Sequence, residues 1–195
     1  MAFFTKAEAR SAAKRAMKNR SLVDVISESI KASKLATQFD VFLSHSINDA
    51  ELVLGVKVLL EDMGKNVYVD WVDDPELDRS LVNKHTAERL RGRMNQSETL
   101  LYIATENASS SKWMPWELGY FDGRKPGSVS ILPVLEKADQ RFEGQEYLGL
   151  YPTVGKEKLS GPGKQGGDPP MDVDALRRAL GGRGYPLGGI GKIYL

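Results

Sequence analysis

Short apolar runs recur along the middle of this chain, and stretches with apolar residues three and four apart lie between them. Phe39–Ser44 (FDVFLS), Asn66–Asp70 (NVYVD), Thr99–Ala104 (TLLYIA) and Val129–Leu135 (VSILPVL) have the length and β-branched or aromatic content of buried strands. Leu52, Val53, Val56, Leu59, Leu60 and Met63 repeat as one helical face closed by Gly64. Ser80–Gln96 reads as a helix with a weaker stripe of Val82, Leu90 and Met94. The fourth strand is expected to end near Pro133. Strand and helix thus alternate from 39 to 135, the pattern of βαβ units around a parallel sheet. Two helices are expected earlier, over 5–20 and about 21–35. The second carries Leu22, Val23, Ile26, Ile30 and Leu35 and needs either the domain or another subunit to pack on. Trp71–Asp78 reads as an acidic loop, too polar for a core.

The stretch with the most concentrated chemistry is Ser109–Gly123, SSSKWMPWELGYFDG. Its three serines are candidate helix caps, and Pro115 falls in the first turn of the helix that follows. Such a helix places Trp113 and Glu117 one turn apart on one face, with Glu117 near the positive end of the dipole. Glu117 also lies just beyond a strand's carboxyl end, where open α/β sheets hold their ligands. Loops leaving the first three strands converge there if the sheet is parallel. They offer Ser44, His45, Ser46 and Asn48; Asp70, Trp71, Asp73, Asp74 and Asp78; and Trp113, Trp116 and Glu117. Taken singly, each has a plain structural reading as a turn, a cap, a core aromatic or a first-turn acid. Convergence favours a site.

Composition narrows the chemistry. The chain has no cysteine and two histidines, His45 and His85, so disulfides, thiol catalysis and histidine-rich metal sites are excluded. His85 reads as a helix-surface residue. No apolar run approaches the ~18 residues of a membrane span, and the absence of cysteine suits a reducing cytoplasm. Residues 1–36 hold eight Lys/Arg and three acids, against 19 and 23 in the remainder. This basic arm reads as a solvated helix, with nucleic acid or lipid as less favoured contacts. Residues 155–170 are loaded with glycine, proline and lysine and read as loop. A short helix over Val173–Leu180 and an apolar end at Ile190–Leu195 follow. Gly161–Gly166 (GPGKQG) fits a phosphate-loop pattern without the preceding strand, and Ser44, His45 and Asp49 lack a nucleophile elbow.

A lone carboxylate suits one particular bond cleavage. Glycoside hydrolysis normally needs a second carboxyl to protonate the leaving group. A leaving group that is already cationic, such as the nicotinamide of NAD+, needs none, and one ionised carboxylate can stabilise the developing ribose cation. Aromatic rings at Trp71 or Trp113 could stack on a base.

FDVFLSH at Phe39–His45, NVYVDW at Asn66–Trp71 and the Trp-x-x-x-Glu of Trp113–Glu117 together resemble a Toll/interleukin-1 receptor (TIR) domain of the bacterial branch, over about residues 37–150. The resemblance implies a flavodoxin-like, doubly wound parallel α/β sheet in the order 2-1-3-4-5. Residues 1–36 then form an N-terminal helical extension and 151–195 a Gly/Pro-rich C-terminal one. It implies NAD+ cleavage by Glu117, with Trp113 shaping the pocket and Ser44, His45, Asp70, Trp71 and Asp78 contacting substrate. The implied product is ADP-ribose or a cyclised form, made as a signal in Thoeris-type antiphage defence and read by a separate effector. NAD+ is the substrate and no cofactor or metal is expected; self-association of the cytoplasmic protein is. The acidic WVDDPELD loop departs from the docking loop of receptor-type adaptors. The rival readings are a non-catalytic TIR scaffold and a phosphate-accepting receiver domain. The receiver needs an aspartate where this chain has Thr105 and Glu106.

Overall fold

The computed structural model describes residues 1–17, 38–74, 83–138, 140–142 and 144–159. These all fall in one compact unit, Met1–Lys164. The expected helices over 21–35 and Val173–Leu180, the apolar end at Ile190–Leu195, and the site candidate Asp78 lie outside the described residues.

Five parallel strands form the sheet: β1 (Phe4–Thr5), β2 (Phe39–Ser44), β3 (Val67–Tyr68), β4 (Ser97–Ala104) and β5 (Val129–Leu135), in the order β1-β5-β4-β2-β3. Among the described residues six helices accompany them: α1 (Lys6–Ala16), α2 (Ala50–Asp62), α3 (Asp70–Asp73), α4 (Lys84–Asn95), α5 (Met114–Arg124) and α6 (Lys156–Leu159). On β4 and β5 the period-2 alternation divides the core cleanly. Leu101, Ile103, Leu132 and Val134 pack on the side of α1 and α2. Leu100, Tyr102, Val129 and Ile131 pack on the side of α4 and α5. The sheet is therefore covered on both faces, as expected of a doubly wound fold. Among the described residues no helix is long and apolar enough to cross a membrane.

The four strands foreseen in the sequence sit in the relative order the resemblance implies, but the fifth place is filled from the other end of the chain. Phe4 and Thr5 pair with Val134 and Leu135. Earlier along the same edge, Ile131 exchanges backbone hydrogen bonds with Pro152 and Val154. Pro133 does not end β5: it sits where one edge partner gives way to the other, a place where a missing N–H costs little.

The first 17 residues are thus part of the domain, not an arm apart from it. Thr5 caps α1 and Glu8 returns the bond to the Thr5 backbone, forming a capping box. Ala9, Ala12 and Ala13 are buried against the domain. The small side chains let α1 approach α2 so closely that a Cβ on Gly55 would lie 1.8 Å from the Ala9 carbonyl oxygen. Lys6, itself buried, pairs with Glu106 and Glu136 beyond the ends of β4 and β5, each at 2.8 Å.

The acidic segment after β3 also differs from expectation. Val72, Asp70, Asp73 and Asp74 are all buried. Polarity did not exclude them because each acid has partners to offset its desolvation. Asp73 accepts from the Val69 N–H at 2.6 Å and faces Lys57 at 3.5 Å. Asp74 receives Arg93 through two bonds, of 2.7 and 2.8 Å, and the Tyr68 hydroxyl at 2.9 Å. The Arg93 guanidinium also lies 5.3 Å from the Tyr68 ring centroid.

This pair makes an acid-sensitive brace. Burial pushes the Asp74 carboxyl up, but the bonds from Arg93 and Tyr68 outweigh it and hold the group below its usual range. Because the folded value is depressed, the pair's stabilisation is complete above the unfolded carboxylate range, about pH 4. It is lost as pH falls through the lower folded value. Arg93→Ala is expected to cost about 3 kcal/mol at neutral pH, since it strands a buried charge. Urea unfolding at two pH values checks this: the gap to wild type should narrow in acid, and an equal gap at both would reject the assignment.

Candidate active site

Parallel strands bring the loops after β2, β3 and β4 to one edge, and side chains tie the three together. Ser44 ends β2 on the α5 side of the sheet, the alternate face from Leu43. Its hydroxyl donates to Glu117 Oε2 at 2.7 Å, and both residues are fully buried. Glu117 stands in the first turn of α5, where its N–H donates to the Trp113 carbonyl at 2.8 Å. Ser111 Oγ accepts the Met114 N–H at 3.2 Å, but the N-cap position is Trp113, without a side-chain cap, and none of the three candidate serines occupies it. Pro115 sits in the first turn as expected. Ser109 and Ser110 belong to a 3-10 turn, Ala108–Ser110.

Beside Ser44, His45 is almost wholly buried. Its Nδ1 lies 2.7 Å from the Leu43 carbonyl, and its Nε2 lies 3.2 Å from Asp70 Oδ1. Asp70 opens α3 and also accepts the Trp71 N–H at 2.8 Å. A third tie was not foreseen. Asp49 Oδ2 accepts from the Thr105 hydroxyl at 2.5 Å, and its Oδ1 accepts from the Asn107 amide at 2.7 Å. This locks the loop after β2 to the loop after β4. In the sequence Asp49 is one polar residue in a polar break, and no local pattern marks partners some sixty positions away.

A cavity of about 160 Å³ opens between these loops, lined by His45, Ser46, Ile47, Asn48, Ser110–Lys112 and Trp113. Glu117 flanks it through Ser44 and Trp113 and is not itself part of the lining. Trp113 combines the two roles open to it: it walls this cavity, and it packs in the core edge-on to Trp116 at 5.4 Å. Trp71 goes elsewhere. It packs against the core on the α1 and α2 side, so the structure does not bring it to Glu117. Asp73 and Asp74 are taken up by Lys57 and Arg93, as described. His85 is exposed on α4, as its sequence position suggests.

A second group of hydroxyls lies behind the carboxylate. Tyr102 is buried on the same face of the sheet, and its hydroxyl is raised above the ordinary phenol range by burial, by Tyr147 and by the charge of Glu117. Gln145 Oε1 accepts from the Tyr147 hydroxyl at 2.6 Å. Gln145 also borders a second cavity, of about 320 Å³, between Ala104–Glu106, Ala108–Ser109, Phe142, Gly144 and Leu148. Among the described residues there is no His/Cys/Asp/Glu group able to hold a metal ion.

No protein-family model matches the chain. It is 48% identical over 139 residues to ThsB′ of Bacillus cereus strain MSX-D12, named a probable 3′ cyclic ADP-D-ribose synthase; the match covers 71% of this chain and 72% of that protein. TIR2 of Cytobacillus dafuensis, named for cyclic ADP-D-ribose synthesis, is 32% identical over 83 residues, covering 42% of this chain and 22% of its own length. Among solved structures, the TIR domain of a Toll-related receptor from Hydra magnipapillata aligns with 73% of this chain and 98% of its own. The TM-score is 0.42 and the identity 17%.

Proposed function

This chain belongs to the bacterial Thoeris-type TIR proteins, and from that membership we propose that Glu117 is the carboxylate with which it turns NAD+ into a cyclic ADP-ribose signal. The chain is an NAD+-consuming enzyme of antiphage defence that breaks the nicotinamide–ribose bond. The observation that carries the residue assignment is the Ser44–Glu117 pair: a buried, hydrogen-bonded carboxylate at the carboxyl edge of a parallel sheet, flanking a cavity walled by an indole. Nicotinamide leaves as a neutral molecule, so no proton donor is required, and the positive charge appears on the ribose. A carboxylate fixed in advance by Ser44 meets that charge without reorganising. Self-association that excluded water from the site would favour capture by one of the substrate's own hydroxyls over capture by water.

The 160 Å³ cavity is smaller than the roughly 300–1,000 Å³ of pockets that enclose whole ligands. It suits one ring of the dinucleotide. The remainder of NAD+ extends across the rim, where self-association of the domain supplies the missing wall. His45 and Trp113 line the part seen here, and Asp78 is proposed as a further contact to the substrate. A separate effector protein reads the product in the cytoplasm. The name of the B. cereus relative leads us to propose the 3′ cyclic isomer. Incubating the purified protein with NAD+ and separating the products by mass spectrometry against isomer standards tests this. Stoichiometric nicotinamide and a single cyclic product are expected. Linear ADP-ribose alone would reject the cyclase assignment, and unchanged NAD+ under every assembly condition would favour the scaffold.

A further inference from the structure

Both ring nitrogens of His45 face oxygen atoms, and the geometry determines what each must do. Leu43 offers a carbonyl, which can only accept, so Nδ1 at 2.7 Å is the donor and carries a proton. That would leave Nε2 as a bare lone pair if the ring were neutral. Yet Nε2 stands 3.2 Å from Asp70 Oδ1, in a region where both side chains are about 1% exposed. No hydrogen-bonding partner satisfies Nε2 among the described residues. A lone pair beside a buried carboxylate, with water excluded, is repulsive; a proton between them turns the contact into an ion pair. The other charged groups around the ring are Lys112, which lines the same cavity, and Glu117, reached through Ser44.

The clamp is placed to act on the carboxylate. Among the described residues the β2–β3 pairing ends at Phe42 and Tyr68, so Leu43 and Ser44 lie beyond its last pair. His45 takes up the Leu43 carbonyl there and leans on Asp70 at the start of α3. Ser44, between Leu43 and His45 in the chain, is the residue that orients Glu117.

We propose that His45 is a positioning residue: its ring is held as an ion pair against Asp70 across the Nε2 contact, and the clamped ring fixes the peptide that aims Ser44 at Glu117. The assignment of a catalytic consequence rests on the Glu117 reading; the proton on Nε2 does not. The chain's two histidines make the test clean, because exposed His85 supplies a reference spectrum in the same sample. Long-range ¹H–¹⁵N spectra of the whole protein should show a proton on each His45 nitrogen. Asp70→Asn should remove the Nε2 proton and leave the His85 signals in place. A neutral His45 with bare Nε2 in the wild-type protein would overturn the ion pair, and that measurement needs no variant to fold. For positioning, His45→Gln is expected to lower kcat roughly 10- to 100-fold with KM within about threefold. An unchanged kcat in a folded His45→Gln protein would overturn the positioning role. Should Glu117 prove dispensable, the ring spectrum would stand unaffected, so the two failures can be told apart.

Discussion

Glu117→Gln is expected to lower NAD+ consumption by about 10³-fold while leaving the fold intact. Glutamine has nearly the shape of glutamate and can still accept the Ser44 hydroxyl through its carbonyl oxygen, so the buried hydrogen bond survives and only the charge is lost. If the carboxylate stabilises a cationic ribose, charge is what matters, and kcat should fall with the loss. Ser44→Ala makes the informative companion. Removing the hydroxyl leaves the charge but frees the carboxylate to turn, so kcat should drop roughly 10- to 100-fold with KM nearly unchanged. A Ser44→Ala protein with raised KM and normal kcat would return Ser44 to the direct substrate contact that its sequence position suggests. Nicotinamide release, followed by chromatography on proteins matched for thermal midpoint, measures both. A Glu117→Gln protein retaining more than about a tenth of wild-type activity would reject the assignment.

What could be read from the sequence was what local chemistry encodes. The four central strands, the helix ended by Gly64 and the Trp113–Glu117 turn follow from apolar period, a positive-φ glycine and a first-turn proline, all contained in a few residues. The convergence of Ser44, Asp70 and Glu117 at one edge followed from parallel strands alone. Partnerships across the chain were not legible. Asp73 and Asp74 look like loop acids because Lys57 and Arg93, which make their burial tolerable, come from α2 and α4. Trp71 looks like a substrate aromatic because nothing next to it states which face of the sheet it will join. The N-terminal residues look detached because an alanine stripe is a weak hydrophobic signal. Its meaning appears only opposite a glycine in another helix.

That glycine carries the largest structural expectation. Gly55→Val should destabilise the protein by at least about 3 kcal/mol, the upper range for overpacking, because the new Cβ meets backbone and not a side chain that could swing away. The Ala9 carbonyl oxygen and carbon would lie 1.8 and 2.4 Å from it, so relief requires the whole of α1 to lift from α2. Lifting α1 draws on β1 and Lys6, which follow one another in the chain, and so loosens the fifth strand and the ties to Glu106 and Glu136. Two further results discriminate this from a general intolerance of α2 to valine. Ala9→Gly in the same protein should fail to restore stability, since the obstacle is the Ala9 main chain. Removing residues 2–17 should destabilise the wild-type protein and abolish most of the difference that Gly55→Val makes, because the clash partner is gone. Urea unfolding of the five proteins closes the comparison. A Gly55→Val midpoint equal to wild type would mean that α1 does not dock there.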